Sequence, residues 1–106
     1  MMIEFQFFEG CPNSQATLEN LRSLIAEGVV DERNFSILEI KNPEEASLLN
    51  FQGSPSILVE GIDLYTGEKP ATASYSCRSY VIDGKRTGVL SKDYLKKRLL
   101  ELARLS

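Results

Sequence analysis

The sequence Gly10-Cys11-Pro12-Asn13-Ser14 lies between a predicted strand and a predicted helix. The short, aromatic-rich run of residues 3–8 before it has the composition of a β-strand. After it, apolar residues recur at helical spacing from Leu18 to Ile25. Pro12 suits the first helical position, because the N–H that proline lacks has no helical partner there. The sequence therefore predicts a cysteine at the N-cap of the first helix.

An N-cap position favours reactive chemistry at Cys11. The sulfur is predicted to face the backbone amides of Asn13 and Ser14, and the positive end of the helix dipole favours a thiolate. A thiolate is the form of cysteine that attacks disulfides and binds soft metals. Two considerations act against this interpretation: Glu9 brings a nearby negative charge, and many free cysteines are small buried apolar residues. Ser14 is interpreted either as a hydrogen-bond partner of the Cys11 sulfur or as an ordinary first-turn serine.

Two motifs together resemble the thioredoxin superfamily. In that family a cysteine at the first strand–helix junction is the nucleophile, usually in a C-x-x-C motif. The corresponding stretch here is Cys11-Pro12-Asn13-Ser14, with serine at the resolving position. Gly53-Ser54-Pro55, followed by a predicted buried strand, matches the family's cis-proline. The resemblance implies a cis Ser54–Pro55 bond beside Cys11, a site made of Cys11, Ser14 and Pro55, and a one-cysteine chemistry.

A narrower resemblance is to small bacterial thioredoxin-like proteins with a G-C-P, G-S-P and C-R-x-Y pattern. The first two parts are the motifs quoted above, and the third is Cys77-Arg78-Ser79-Tyr80. This narrower resemblance implies no particular reaction.

Length and composition limit the classes of protein to which the chain can belong. A chain of 106 residues has the length of one domain, and 42% hydrophobic with 25% charged residues is ordinary for a globular protein. The formal net charge is −3 and no segment is dominated by basic residues, so nucleic-acid binding is not expected. No apolar run is long enough to span a bilayer, and residues 1–4 lack the features of a signal peptide.

Cysteine and histidine content narrow the chemistry further. Two cysteines without a targeting segment predict a reducing, cytoplasmic setting. The chain contains no histidine, which excludes a Cys–His nucleophile pair and a histidine-rich metal site. No cofactor and no resident metal are expected.

The order of predicted elements is βαβαββα. Helices are predicted over residues 12–27, from an Asn42 cap followed by Pro43, and from a Ser91 cap to the end of the chain. Strands are predicted at residues 3–8, 35–40, 57–60 and 77–83, with a short edge strand after the Asp83-Gly84 turn. The predicted fold is α/β and thioredoxin-like: a central mixed four-stranded sheet with helices on both faces, in a single domain over residues 1–106.

Residues 61–76 are predicted to form a long loop insertion, and this loop determines what is expected of Cys77. On a simple hairpin from Pro55, Cys77 falls at the end of the sheet opposite to Cys11. Five residues of strand span about 15–17 Å, whereas a disulfide needs Cα atoms within about 7 Å. We therefore expect no Cys11–Cys77 disulfide and interpret Cys77 as a strand cysteine. A fold-back of the loop would make Cys77 a second thiol of the site. Arg78 is expected to be a solvated strand charge.

These observations favour a thiol–disulfide oxidoreductase or thiol-transfer protein with Cys11 as its single nucleophile. The expected partners are a protein disulfide or a low-molecular-weight thiol such as glutathione, which would resolve the mixed disulfide on Cys11. Pro55 would hold the substrate backbone, as the resemblance implies. The alternative is a non-catalytic thioredoxin-like binding or adaptor module for a protein partner or a thiophilic metal. The sequence does not specify the oligomeric state.

Overall fold

The computed structural model describes residues 1–104, which contain three α-helices and six strands. In chain order they are β1 (Ile3–Phe7), α1 (Pro12–Ala26), β2 (Phe35–Glu39), α2 (Pro43–Leu49), β3 (Ser56–Val59), β4 (Ile62–Asp63), β5 (Tyr80–Ile82), β6 (Lys85–Thr87) and α3 (Lys92–Arg104). A 3-10 turn, Glu32–Asn34, precedes β2. No helix within residues 1–104 is both long and apolar enough to cross a membrane.

The central sheet is mixed and has four strands in the order β2-β1-β3-β4. Strand β1 pairs with β2 in parallel, and it pairs with β3 in antiparallel orientation. Phe5 is the middle of this register, opposite Ile37 on one side and Ile57 on the other. The predicted α/β class with a mixed four-stranded sheet is confirmed.

Helices cover both faces of this sheet because side chains alternate across each strand. Ile3, Phe5 and Phe35 belong to the larger buried cluster, to which α1 contributes Leu21 and Leu24 and α3 contributes Leu95 and Leu99. Leu38, which alternates with Phe35 along β2, and Ile40, which follows the strand, pack with Ala46 of α2 in a second cluster. Helices α1 and α3 therefore lie on one face and α2 on the other.

The fourth strand of the sheet is not the predicted one. It is β4, which follows β3 through a two-residue turn at Glu60-Gly61, where both residues have positive φ angles of 52° and 79°. Residues 62–63 thus form sheet inside the predicted loop of residues 61–76. Of the strand predicted at residues 77–83 only β5 (Tyr80–Ile82) forms, and its predicted place in the central sheet is wrong. A turn at Asp83-Gly84 follows β5, which pairs with β6, the predicted short edge strand, in a separate hairpin. Glu60 at positive φ is uncommon, which is why this turn gave no sequence signal.

The helix starts agree with the sequence. The side chain of Asn42 accepts a hydrogen bond from the Glu45 amide at 2.8 Å, as an N-cap does. The Ser91 hydroxyl accepts one from the Tyr94 amide at 3.2 Å, and α3 follows. Pro12 is the first residue of α1, with Cys11 at the N-cap in an extended conformation. These three predictions are confirmed.

Candidate functional site

Cys11 is buried at the junction of β1 and α1, with 6% of its surface exposed. Its carbonyl accepts the first-turn hydrogen bond from the Ser14 amide at 3.3 Å. The side chain makes no capping hydrogen bond to the helix. Instead the thiol donates to the backbone carbonyl of Ser54, with sulfur and oxygen 3.4 Å apart. The sulfur therefore makes no hydrogen bond to the amides of Asn13 and Ser14 that it is predicted to face, because the thiol donates to the Ser54 carbonyl instead.

Ser54 makes hydrogen bonds to several parts of the site. It is fully buried, and its hydroxyl lies 2.6 Å from that of Ser14. The same hydroxyl accepts a hydrogen bond from the Phe8 amide at 3.2 Å. Ser14 is thus bonded to Ser54 and not, as one interpretation had it, to the Cys11 sulfur. Ser54 fixes three groups at once: the end of β1, the first turn of α1 and the thiol of Cys11.

Pro55 follows Ser54 and begins the approach to β3. The Ser54–Pro55 peptide bond is cis, and that prediction is confirmed. Pro55 is buried, and its carbonyl accepts a hydrogen bond from the Tyr80 hydroxyl at 2.5 Å. Pro55 therefore belongs to the site because Ser54, the residue before it, contacts Cys11 through its carbonyl.

Cys77 lies at the same end of the sheet as Cys11, and the prediction that it lies at the opposite end is wrong. Cys77 and Ser54 are partners in an isolated parallel β-bridge. The Ser54 amide donates to the Ser76 carbonyl, and the Arg78 amide donates to the Ser54 carbonyl, both at 2.8 Å. Because bridged residues are about 4.8 Å apart, Cys77 stands next to the residue that binds the Cys11 thiol.

The fold-back that places Cys77 there is built by residues 70–78, which we call the return segment. It runs alongside residues 50–54 and is fixed to them by hydrogen bonds: Ser74 donates its amide to the Phe51 carbonyl at 2.7 Å. The ring of Tyr75 packs on that of Phe8, with centroids 4.9 Å apart. The geometric expectation failed because the chain after β4 returns along residues 50–54 and does not continue as a strand away from Pro55.

Behind Cys77, Arg78 forms a buried ion pair with Asp63 of β4. Two guanidinium–carboxylate contacts measure 2.6 and 3.2 Å, and the side chains are 10% and 2% exposed. The guanidinium also lies 4.7 Å from the ring centre of Tyr80 and 5.6 Å from that of Tyr65. Burial is the largest single influence and acts to lower the pKa of Arg78, but hydrogen bonds and charge interactions with Asp63 and Tyr80 together outweigh it and raise that pKa. Arg78 is therefore a buried anchor, not the solvated charge expected from the sequence.

Cys11 influences the protonation of the neighbouring Cys77 thiol. Hydrogen bonding to Cys11 is the largest influence on Cys77 and raises the pKa of its thiol, with burial and the charge of Cys11 acting in the same direction. Cys77 itself is exposed, whereas Cys11 is buried. Both cysteines are free in this structure. A protonated, accessible thiol thus stands beside a shielded one.

A pocket of about 190 Å³ opens beside Cys11, between the end of β1 and the start of α1. Phe7, Phe8 and Leu18 give it an apolar wall, and its polar side chains include Glu9, Ser14 and Gln15. On another side of the first turn of α1, Gly88 packs so closely on the Asn13 amide that a Cβ would overlap it. The site therefore has an apolar recess next to the thiol.

Sequence motifs predicted some residues of this site but missed the function of others. Ser54, Asp63 and Arg78 were assigned no function, although Ser54 and Arg78 stand inside two of the quoted motifs. No group of three or more histidine, cysteine, aspartate or glutamate side chains suited to a metal occurs within residues 1–104. No protein-family model matches the chain, and neither a curated protein nor a solved structure matches it significantly.

Proposed function

We propose that this protein has a thioredoxin-like fold and carries out thiol–disulfide exchange with Cys11 as the nucleophile. The observation that carries the proposal is the position of Cys11: the N-cap of α1, hydrogen-bonded to the residue before the cis Pro55. The N-terminal end of a helix attracts negative charge, which supports attack by a thiolate at this place. The predicted strand–helix order and the mixed sheet are consistent with that fold.

The pocket beside Cys11 supports a substrate with an apolar group next to its disulfide. The wall of Phe7, Phe8 and Leu18 provides no positive charge, and Glu9 is negative. Such a recess suits an apolar side chain of a protein disulfide better than the two carboxylates of glutathione. A reducing compartment such as the cytoplasm would supply the thiols that regenerate the protein.

The same pocket favours a second function, a non-catalytic module that binds an apolar segment of a partner protein. The two functions differ in what they require of Cys11. Exchange requires the sulfur to react, whereas a binding module requires only the shape of the recess. The reactivity of the buried thiol therefore separates them.

The experiment compares two variants that each retain one thiol. Cys77→Ser keeps only the buried Cys11, and Cys11→Ser keeps only the exposed Cys77. Accessibility alone makes Cys77 react faster with a small disulfide. An activated nucleophile reverses this order, and we expect Cys11 to react on the order of tenfold faster or more at neutral pH. Faster reaction of Cys77 would remove the catalytic assignment and favour the binding module.

A further inference from the structure

We propose that Cys77 is the resolving thiol of Cys11 and that the two cysteines form a redox-active disulfide. This inference rests on the proposed function and replaces its external resolving thiol with one from the same chain. The position three residues after Cys11 does not hold a second cysteine. It holds Ser14, whose hydroxyl is engaged with Ser54 inside the protein.

The backbone arrangement places both cysteines next to the same residue, Ser54. Ser54 lies between the two cysteines, since its carbonyl accepts the Cys11 thiol at 3.4 Å and its backbone is bridged to Cys77. Two cysteines can be joined when their Cα atoms are within about 7 Å and their side chains converge. The raised pKa of Cys77, whose largest cause is hydrogen bonding to Cys11, supports convergent side chains. Residues 66 positions apart in the sequence are thereby brought together by the return segment.

The position of Cys77 is also held firmly. Arg78, the next residue, is fixed by Asp63 and by the rings of Tyr65 and Tyr80. On the other side, the Ser76 carbonyl accepts the Ser54 amide. Cys77 is therefore an exposed residue between two anchored neighbours, so its thiol is accessible while its backbone stays in place.

The proposed cycle conserves atoms and electrons. The Cys11 thiolate attacks one sulfur of a substrate disulfide, R–S–S–R′; a bond forms between Sγ and that sulfur, and R′–S⁻ leaves. Cys77 loses its proton to solvent and attacks Sγ of Cys11, which breaks the mixed disulfide and releases R–S⁻. The two cysteines are oxidised by two electrons, and the substrate is reduced to two thiols. External thiols then reduce the Cys11–Cys77 disulfide.

The interaction between the thiols orders these two steps. Hydrogen bonding to Cys11 and the charge of Cys11 raise the pKa of Cys77 and so disfavour its thiolate. Once Cys11 is part of a mixed disulfide, its sulfur carries no charge, and both influences on the pKa of Cys77 end. The fraction of Cys77 thiolate then increases at the moment when it is needed as a nucleophile.

The experiment follows the release of a coloured thiolate from a small aromatic disulfide in excess. We expect the wild-type protein to release two equivalents and retain no adduct, with a final mass two hydrogen atoms lighter and a Cys11–Cys77 cross-linked peptide. Cys77→Ser should release one equivalent and retain the adduct on Cys11. The second equivalent should appear at a rate independent of reagent concentration, because resolution is intramolecular.

The matched control moves the second thiol in the chain. The double variant Cys77→Ser/Ser36→Cys places an exposed thiol on β2 opposite Glu4, towards the far end of the sheet, and should not resolve the adduct on Cys11. A stable adduct on Cys11 of the wild-type protein, or separate adducts on both cysteines, would overturn the resolving role and leave the proposed function intact. No reaction of Cys11 in either protein would overturn both.

Discussion

Cys77 is bridged to Ser54, the residue whose carbonyl accepts the thiol of Cys11. Cys11 and Cys77 are far apart in the sequence, but this arrangement makes them neighbours in the fold. The features that maintain it are the Arg78 anchor, the close approach at Gly53 and the buried serine pair. Each of them can be tested separately.

The buried ion pair between Asp63 and Arg78 anchors the return segment. Arg78→Met leaves the Asp63 carboxylate buried without its partner, which costs about 3–5 kcal/mol of unfolding free energy. The matched control is Arg33→Met at the exposed Asp31–Arg33 pair, which should leave that free energy nearly unchanged. Denaturant unfolding measures both. Equal effects of the two substitutions would show that Arg78 is not an anchor.

Gly53 permits the return segment to approach closely. Its φ is +109°, and a Cβ would stand 3.0 Å from both the Ser76 carbonyl oxygen and the Arg78 Cβ. Gly53→Ala should displace these neighbours of Cys77 and slow the formation of the Cys11–Cys77 disulfide about tenfold. A tenfold decrease in rate corresponds to about 1.4 kcal/mol of additional activation free energy. Gly28→Ala is the control, because Gly28 also has positive φ but nothing within 4 Å of its Cβ position. An unchanged rate in Gly53→Ala would contradict the account.

The serine pair at the start of α1 is predicted to be structural. Ser14→Ala leaves the buried Ser54 hydroxyl without one hydrogen-bond partner, which costs about 1–3 kcal/mol of unfolding free energy. Ser47→Ala, at an exposed position of α2, should change the same quantity by less than about 0.5 kcal/mol. Urea titrations of both variants check this. A loss of thiol exchange in Ser14→Ala without a loss of stability would instead indicate a direct role in the reaction.

Alkaline pH should destabilise the protein through Tyr80. Burial raises the pKa of this phenol far above its ordinary value, so its contribution to stability is complete below about pH 10 and is lost as the pH rises further. Above pH 10 the unfolding free energy should fall by about 1.4 kcal/mol per pH unit from this group. The loss should be smaller in Tyr80→Phe, with both measured in a Cys11→Ser/Cys77→Ser background so that no thiol titrates. Identical pH profiles would exclude Tyr80 as the cause.

The sequence predicted local features of the fold well. Pro12, Asn42-Pro43 and Ser91 marked helix starts because capping depends on neighbouring residues alone, and Asp83-Gly84 marked a hairpin for the same reason. The sheet edge was mispredicted because β4 depends on a positive φ at Glu60, a residue type with no preference for it. The position of Cys77 depends on long-range contacts of the return segment with residues 50–54, which no local pattern contains.

The most direct test of the Cys11–Cys77 site is a redox equilibrium with glutathione. The wild-type protein is incubated in mixtures of reduced and oxidised glutathione, its free thiols are blocked in acid, and its mass is measured. The account predicts one two-electron transition, in which both thiols disappear together without a glutathione adduct, and glutathione adducts in Cys77→Ser. Glutathione adducts on Cys11 of the wild-type protein with Cys77 still free, or two thiols that remain reduced in oxidised glutathione, would contradict it.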